Sequence, residues 1–189
     1  MRDAAATKRL IEQTALRLFA EKGIAETTIR DIAFAAGVAE GTMYRHYDSK
    51  EELAWRLFAD NYTEVGRALH EIARAKRTTR DKIESMIRFF CDEYDKDQLR
   101  FRYLFLARHG QMRKVTSRMP NPYIVFRSVI REGMARGEIP NEDPDVATSM
   151  VMGVILQVID SAILGQRIRS SLQRIADKIV AACLRVLKA

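Results

Sequence analysis

Residues 24–50, with the sequence IAETTIRDIAFAAGVAEGTMYRHYDSK, decide the fold of the first part of the chain. Apolar side chains recur at helical spacing near the start of this stretch: Ile29, Ile32, Ala33 and Ala36. They predict a short helix over residues 28–36, which Gly37 ends. A further helix is predicted over residues 40–47. Two short helices joined by a tight turn have the length and spacing of a helix-turn-helix.

The second helix of this motif carries side chains suited to reading DNA. Met43 is its natural inward residue, close to Val38 in the turn. The remaining residues are expected to face outward, at least in part: Glu40, Thr42, Tyr44, Arg45 and His46. Polar and aromatic groups on such a face can meet base edges and phosphates. An alternative is a small helical hairpin in which Tyr44 and Tyr47 only pack the motif onto the rest of the protein.

Helical patterns continue on both sides of the motif. A first helix is predicted over residues 7–22, and Ser49 with Glu52 forms a capping box that starts a fourth helix. Further helices are predicted over residues 79–94, 98–109, 122–136, 144–165 and 170–187, with a polar loop over residues 110–120. The sequence therefore predicts an all-α fold of about nine helices. A three-helix head over residues 1–48 precedes a helical body over residues 49–189.

The charge of the chain favours an anionic partner without locating it. The 189 residues have a formal net charge of +7 and a pI of about 9.6. Residues 1–50, however, carry eight basic and seven acidic side chains, which argues against a protein that compacts DNA non-specifically. A basic run surrounds the predicted sixth helix: Arg100, Arg102, Arg108, Arg113, Lys114 and Arg118. This run is either a solvated face, a contact for an anionic effector, or a second contact with the DNA backbone.

Several protein classes are not expected from this sequence. Its two cysteines, Cys91 and Cys183, are far apart and predict buried thiols in a reducing cytoplasm. The longest apolar run, residues 150–159, is shorter than the ~18 residues of a membrane span, and no signal peptide precedes it. The three histidines have no metal-ligand spacing, and no phosphate loop or G-x-S-x-G motif occurs. We therefore expect no metal, no cofactor, no enzymatic activity and no membrane partner.

Residues 18–53, LFAEKGIAETTIRDIAFAAGVAEGTMYRHYDSKEEL, resemble the DNA-binding signature of TetR-type regulators. The matching segments are LFAEKG, TTIRDIA, AGV, GTMYRHY and SKEEL. The resemblance implies a sequence-specific transcriptional regulator that acts as a homodimer, with a small-molecule effector and a palindromic double-stranded DNA operator. It also implies that an empty dimer holds the operator and releases it when ligand binds, although some relatives work in the opposite sense. The alternative is a helical ligand-binding or interaction protein that needs a co-ligand for DNA binding or has lost it.

The resemblance also implies which residues contact DNA. Ten positions match: Thr28, Arg30, Glu40, Gly41, Thr42, Tyr44, Arg45, His46, Tyr47 and Lys50. Those at the start of the second helix and after the recognition helix would meet phosphates, and those between them would meet base edges. Two residues depart from the family pattern. Ala39 stands where a capping Ser or Thr is common, and Glu40 replaces a basic or neutral residue; it either accepts from a cytosine amino group or stabilises the helix start.

In the body, the resemblance implies a dimer interface on the last two helices and an effector site among the middle ones. The dimerisation candidates are Val154, Val158, Ile168, Leu172, Ile175 and Ile179. The effector-site candidates are Met86, Phe89, Phe90, Tyr94, Tyr103, Phe126, Met134 and Gln157. For each of the latter, the alternative is an ordinary place in a filled core. Gln157 and Asp160 interrupt an apolar helix, so they are expected to hydrogen-bond a ligand or the partner subunit.

Overall fold

The computed structural model describes residues 4–165, 168 and 171–189, and this part of the chain is helical. It contains nine α-helices and two 3-10 turns, Met112–Lys114 and Leu172–Ile175. The helices are α1 (Ala4–Lys22), α2 (Ile29–Ala36), α3 (Glu40–Met43), α4 (Lys50–Ala75), α5 (Thr79–Lys96), α6 (Gln98–Gln111), α7 (Pro122–Ala135), α8 (Pro144–Ile163) and α9 (Ala176–Leu187). The all-α prediction is confirmed.

The chain divides into two compact units, which we call the N-terminal unit and the C-terminal unit. The N-terminal unit comprises Met1–Asn61 and Leu99–Thr116, and the C-terminal unit comprises Tyr62–Gln98 and Ser117–Ala189. Helix α4 therefore begins in one unit and ends in the other, while α6 belongs to the N-terminal unit. This division follows packing, and the domain boundary proposed between residues 48 and 49 stays a prediction.

The N-terminal unit is built on a core from α1, α2, α3 and the start of α4. Ile11, Ile32 and Met43 are fully buried in it. Helix α6 joins this core through Tyr103, whose ring stacks on Phe19 with centroids 6.0 Å apart. The Tyr103 hydroxyl donates a 2.6 Å hydrogen bond to the carbonyl oxygen of Ala54. A buried aromatic ring with a satisfied hydroxyl fixes α6 to this unit.

The C-terminal unit packs α5, α7, α8 and α9 around a second apolar core. Phe90 of α5 stacks on Phe126 of α7, with ring centroids 6.2 Å apart. The chain before α7 lies directly against Gly66 of α4: a Cβ added there would be 2.5 Å from the backbone nitrogen of Asn121. Asn121 then caps α7 by accepting from the Ile124 N–H, with Pro122 at the first helical position.

The start of the last helix differs from the sequence prediction. The predicted helix over residues 170–187 begins instead at Ala176, after the 3-10 turn Leu172–Ile175; residue 170 itself lies outside the described residues. Asp95 of α5 holds this turn. Its carboxylate accepts hydrogen bonds from the Ser171 hydroxyl and from the Leu172 and Gln173 N–H groups. A bond to a side chain 77 positions away is not visible in a helical pattern.

In the C-terminal unit, burial raises the pKa of both cysteines and competes with hydrogen bonding at Asp95. Burial alone would raise the pKa of Asp95, but the hydrogen bonds from Ser171, Gln173 and Leu172 outweigh it and bring the pKa below its usual value. Both cysteines are buried and free. Burial raises the pKa of Cys91 to about 11 and of Cys183 to about 12, so both are protonated thiols at neutral pH.

Helix α8 extends on both sides of the apolar run of residues 150–159. It has 20 residues and contains an 18-residue window with a mean hydropathy of 1.8, so by length and composition alone it can cross a membrane, contrary to the sequence argument from length. One third of that window is buried inside the protomer. A helix from the core or the subunit interface of a soluble protein has the same composition, so this feature by itself is weak evidence for a span.

Candidate functional site

The start of α2 is held by a complete capping box. The Thr28 hydroxyl oxygen accepts from the Asp31 N–H at 3.1 Å, and the Asp31 carboxylate accepts from the Thr28 N–H at 2.9 Å. The hydrogen bond from the Thr28 N–H, followed by the interaction with the Thr28 hydroxyl, lowers the pKa of the Asp31 carboxyl. The cap presents Thr28 and Arg30 to solvent at the first turn of α2. Both are therefore free to approach a phosphate from this end of the helix.

The turn between α2 and α3 depends on Gly37. Its φ is +63°, a left-handed conformation that glycine adopts without steric cost. The Gly37 N–H donates to the Phe34 carbonyl at 3.1 Å, and the Val38 N–H donates to the Ala33 carbonyl at 3.0 Å. This is a Schellman-type ending, which fixes the direction in which the chain leaves α2.

Helix α3 is shorter than predicted. It covers Glu40–Met43 rather than residues 40–47, and the chain continues as a turn. The N–H groups of Arg45 and His46 donate to carbonyls three residues back, at 3.3 and 2.9 Å, which tightens the helix end. At the other end, Ala39 provides no side-chain cap. A helix of four residues without a cap depends on its packing for stability.

The inward side of α3 provides this packing. Met43 is fully buried there, as the sequence predicts. The opposite side is solvent-exposed. Tyr44 exposes 57% of its surface, and Glu40, Gly41 and Arg45 are also exposed. Thr42 and His46 are half-buried at the edges of this face. The arrangement is an anchored short helix with a polar and aromatic outer face, the geometry that a reading helix requires.

The predicted phosphate contact from Tyr47 is wrong for this structure. Tyr47 is only 2% exposed, and its hydroxyl donates a 2.6 Å hydrogen bond to the Glu12 carboxylate of α1. The Arg56 guanidinium lies 5.8 Å from the centre of its ring. Burial, followed by the hydrogen bond to Glu12, raises the pKa of Tyr47. This tyrosine fastens the end of the motif to α1 and α4, which is the packing alternative.

Two other predicted contact residues have partners within the N-terminal unit. The Lys50 ammonium donates to the Ala25 carbonyl at 3.2 Å. The Arg30 guanidinium lies 4.0 Å from the Glu40 carboxylate, with both side chains exposed. Such an exposed pair is weak, so it does not prevent Arg30 from turning to a phosphate. Sequence reasoning missed this pairing, and it also missed Phe34, an apolar side chain on α2 that is 89% exposed.

The predicted effector-site residues do not come together as one set. Four are buried in the C-terminal unit: Met86, Phe90, Tyr94 and Phe126; Phe89 and Met134 are half-buried there. Tyr103 instead packs within the N-terminal unit. Gln157 is exposed on α8, where its side-chain amide lies 3.5 Å from the Ser161 hydroxyl. Gln157 therefore lies apart from the other effector-site candidates, on the outward face of α8, and its hydrogen bond to a ligand or to the partner subunit stays a prediction.

A cleft of about 700 Å³ occurs in the C-terminal unit, where the end of α4, the start of α5 and α7 meet. Its lining is rich in basic side chains: His70, Arg74, Lys76, Arg77, Lys82 and Arg136, with Glu132 and Glu138 as the acidic members. Lys82 is buried and pairs with Glu132 at 2.6 Å. None of the predicted effector-site residues lines this cleft, because the sequence prediction selected apolar side chains.

The predicted dimerisation residues also differ in burial. Leu172 and Ile179 are buried inside the protomer, at 0% and 5% exposure, so they cannot form contacts with a partner as predicted. Val154, Val158, Ile168 and Ile175 remain partly exposed. The sequence prediction missed three exposed apolar residues on or just after α8: Val146, Met150 and Leu164. A spacing of four between Val146 and Met150, continued by Gly153 and Gln157, is the helical signal that identifies this face.

Comparison with known proteins gives consistent matches. The family model described as "Bacterial regulatory proteins, tetR family" matches residues 11–59. The chain is 36% identical over 73 residues to the HTH-type transcriptional repressor KstR2 of Rhodococcus jostii, covering 39% of this chain and 36% of that repressor. It is 24% identical over 162 residues to the fatty acid metabolism regulator protein of Bacillus subtilis, covering 83% of this chain and 84% of that protein.

The fold is shared with solved structures. The transcriptional regulator FadR from Bacillus subtilis, in complex with stearoyl-CoA, superposes with a TM-score of 0.78. The superposition covers 93% of this chain and 97% of that chain, at 20% sequence identity. At that identity the likeness establishes the architecture, a helix-turn-helix followed by a helical body.

Proposed function

The chain belongs to the TetR family of bacterial transcriptional regulators, and we propose that it is a ligand-responsive repressor that binds a palindromic operator as a homodimer in the cytoplasm. The observation that carries this proposal is the exposed face of α3 above buried Met43 and Tyr47. TetR-family regulators act by binding DNA and not by catalysis, so the prediction that the chain is not an enzyme is confirmed.

We assign DNA contact to nine of the ten predicted residues: Thr28, Arg30, Glu40, Gly41, Thr42, Tyr44, Arg45, His46 and Lys50. Tyr44 and Arg45 are exposed on the reading face, where they reach bases or thymine methyl groups. Gly41 is exposed with no neighbouring atom within 4 Å of an added Cβ, so the backbone there can approach the DNA closely. Thr28 and Arg30 meet the phosphates beside them.

A homodimer supplies two such faces. Helix α8 has an exposed apolar stripe that includes Val146 and Met150, and Val158 and Ile175 remain partly exposed beside it. Burying this stripe between two copies removes it from water, which stabilises association by about 25 cal/mol per Å² of apolar surface. Two heads separated by about one DNA turn (~34 Å) then read the two halves of a palindrome.

A long-chain acyl-CoA is the effector class that we propose to test first. The relatives that match most of this chain include a fatty acid metabolism regulator and a FadR bound to stearoyl-CoA. The C-terminal unit offers the two environments that such a ligand needs. Its cleft has exposed Lys76 and Arg77 for phosphates, and its core has apolar Met86, Phe90 and Phe126 for an acyl chain.

All three core side chains are buried, and Phe90 stacks on Phe126, so an acyl chain has to displace them. A ligand that binds the displaced arrangement more tightly shifts the protein toward it. If that arrangement changes the spacing of the two heads, operator affinity falls.

Selection of bound sequences from a random DNA pool tests the DNA-reading function. An enriched palindrome supports it, and stearoyl-CoA is then titrated into the complex, with coenzyme A and stearate as matched controls. Release by stearoyl-CoA alone supports the effector class, and release by none of the three refutes it. A dimer that enriches no sequence without stearoyl-CoA but does so with it supports the alternative function, a regulator that needs a co-ligand.

A further inference from the structure

A second cleft, of about 610 Å³, lies within the N-terminal unit. The end of α1, the start of α4 and the end of α6 border it. Its walls are more apolar than polar, with Phe19, Ile24, Tyr103 and Leu106 as the large apolar side chains. Gln111 and four charged side chains also line it: Glu21, Lys22, Lys50 and Glu51. It is separate from the cationic cleft of the C-terminal unit, and no contact with an effector proposed above involves it.

Gln111 is the unusual residue of this cleft. Only 8% of its surface is exposed, and its side-chain oxygen Oε1 is buried without a hydrogen-bond partner among the described residues. Buried polar atoms without partners are rare and costly in folded proteins, so each one calls for a partner.

Two other polar groups of the cleft have partners within the protein. The Tyr103 hydroxyl donates to the Ala54 carbonyl, and the Lys50 ammonium donates to the Ala25 carbonyl. Neither is directed to Gln111. The cleft therefore combines apolar walls with one buried acceptor that lacks a donor, a pattern typical of small-molecule sites.

We propose that this cleft binds a small, largely apolar alcohol or phenol, whose hydroxyl group donates a hydrogen bond to Gln111 Oε1. The apolar walls remove the body of the ligand from water. The acceptor selects molecules with a hydroxyl over hydrocarbons of the same shape, since only the former satisfy Gln111. The site also includes Ile24 and Lys50, next to the segment that leads into α2.

Two probes that differ by one hydroxyl group test the site: 4-methylphenol, which carries the hydroxyl, and toluene, which does not. Each is titrated into the full-length, 15N-labelled protein, and the shifts of the Gln111 side-chain amide and of the surrounding backbone are followed. We expect 4-methylphenol to saturate these shifts and to bind at least about fivefold more tightly than toluene, the effect of one net hydrogen bond.

The variant Gln111→Met keeps the length of the side chain and removes the acceptor. It should bring the ratio of the two affinities close to one and raise the Tm of the ligand-free protein, because the unpaired buried oxygen is gone. Gln98→Met, at the exposed first residue of the same helix, is the matched control and should leave the ratio unchanged.

Three results overturn the proposal: no saturable shift at Gln111 with either probe, equal affinities of the wild-type protein for both, or a preference for 4-methylphenol that survives Gln111→Met. A lower Tm for Gln111→Met than for the Gln98 variant also counts against it, because the amide would then have a partner in the free protein. None of these readouts uses operator DNA or acyl-CoA.

Discussion

At the scale of single residues, the two tyrosines around the end of α3 have opposite environments. Tyr44 is exposed on the reading face, whereas Tyr47, three positions later, is buried and bonded to Glu12. The tightened turn after Met43 rotates the chain between them. One tyrosine is therefore available to DNA and the other stabilises the domain.

Replacing each tyrosine in turn should separate these two roles. Tyr44→Ala should reduce affinity for the selected operator by at least about fivefold, because a base contact is worth about 1–3 kcal/mol, while the urea midpoint stays unchanged. Tyr47→Phe should lower the free energy of unfolding by about 1 kcal/mol, because the Glu12 carboxylate loses its donor. Fluorescence anisotropy and urea denaturation measure the two quantities. Unchanged operator binding by Tyr44→Ala would disprove the assignment of the reading face.

The missing cap of α3 gives a second prediction at this scale. Ala39 has an extended backbone, with φ −72° and ψ 146°, which suits an N-cap residue. Ala39→Ser should therefore raise the free energy of unfolding by up to about 1 kcal/mol, since its hydroxyl can accept from an N–H of the first turn. Ala35→Ser, at an exposed position of α2, is the control and should give no gain. Equal effects at both positions would show that capping is not the cause.

At the scale of elements, the short connection before α9 depends on a distant helix. The 3-10 turn Leu172–Ile175 is not stabilised by a cap of its own, since Ser171 makes no side-chain cap hydrogen bond to it. Asp95 of α5 supplies the acceptor instead. The same bonds lower the pKa of Asp95, so its contribution to stability depends on pH.

Asp95→Asn should destabilise the protein by about 1 kcal/mol at pH 7, a value that allows for solvent screening of a partly exposed group. A depressed pKa in the folded state means that the carboxylate stabilises the fold above its unfolded pKa of 3.8 and loses this effect as the pH falls through the folded value. The difference between wild type and Asp95→Asn should therefore be constant from pH 7 to about pH 5 and decrease as the pH falls below 3.8.

Urea denaturation across this pH range measures the difference. Glu26→Gln, which neutralises an exposed carboxylate in the N-terminal unit, serves as the control and should change stability little at any pH. A difference for Asp95→Asn that persists unchanged at pH 2 would contradict the charge-based account.

At the scale of the whole molecule, the proposed dimer determines how many bases are read. The apolar surface for it lies on α8, where Met150 is 49% and Val146 is 47% exposed. The sequence candidates Leu172 and Ile179 are unavailable, because the protomer already buries them. A dimer through α8 also accounts for the high hydropathy of this helix without a membrane.

Met150→Glu should convert the dimer into a monomer at micromolar concentration, because a carboxylate buried without a partner is costly. Loss of the second head should then weaken operator binding by well over tenfold. Ile124→Glu introduces the same charge at an exposed apolar residue of α7 and should leave the dimer intact. Sedimentation velocity measures the oligomeric state of both variants. A Met150→Glu protein that remains dimeric would show that the interface lies elsewhere.

The sequence by itself determined the helical fold class, the helix-turn-helix and the burial of Met43. These features follow from signals that act over a few residues: the spacing of apolar side chains, the Thr28–Asp31 cap and the glycine turn at Gly37. The separation of the outer and inner sides of α3 also follows from helical spacing. The length of α3 does not follow from local signals, because the tightened turn after it depends on packing against the rest of the unit.

Only the tertiary structure decided which partner each side chain has. Tyr47 bonds to Glu12, 35 positions away, and Tyr103 of α6 packs within the N-terminal unit. Gln157 is exposed, while Leu172 is buried. The physical reason is that a helical pattern specifies which residues share a face of one helix. Whether that face meets a core, a partner or solvent depends on elements that are distant in the sequence.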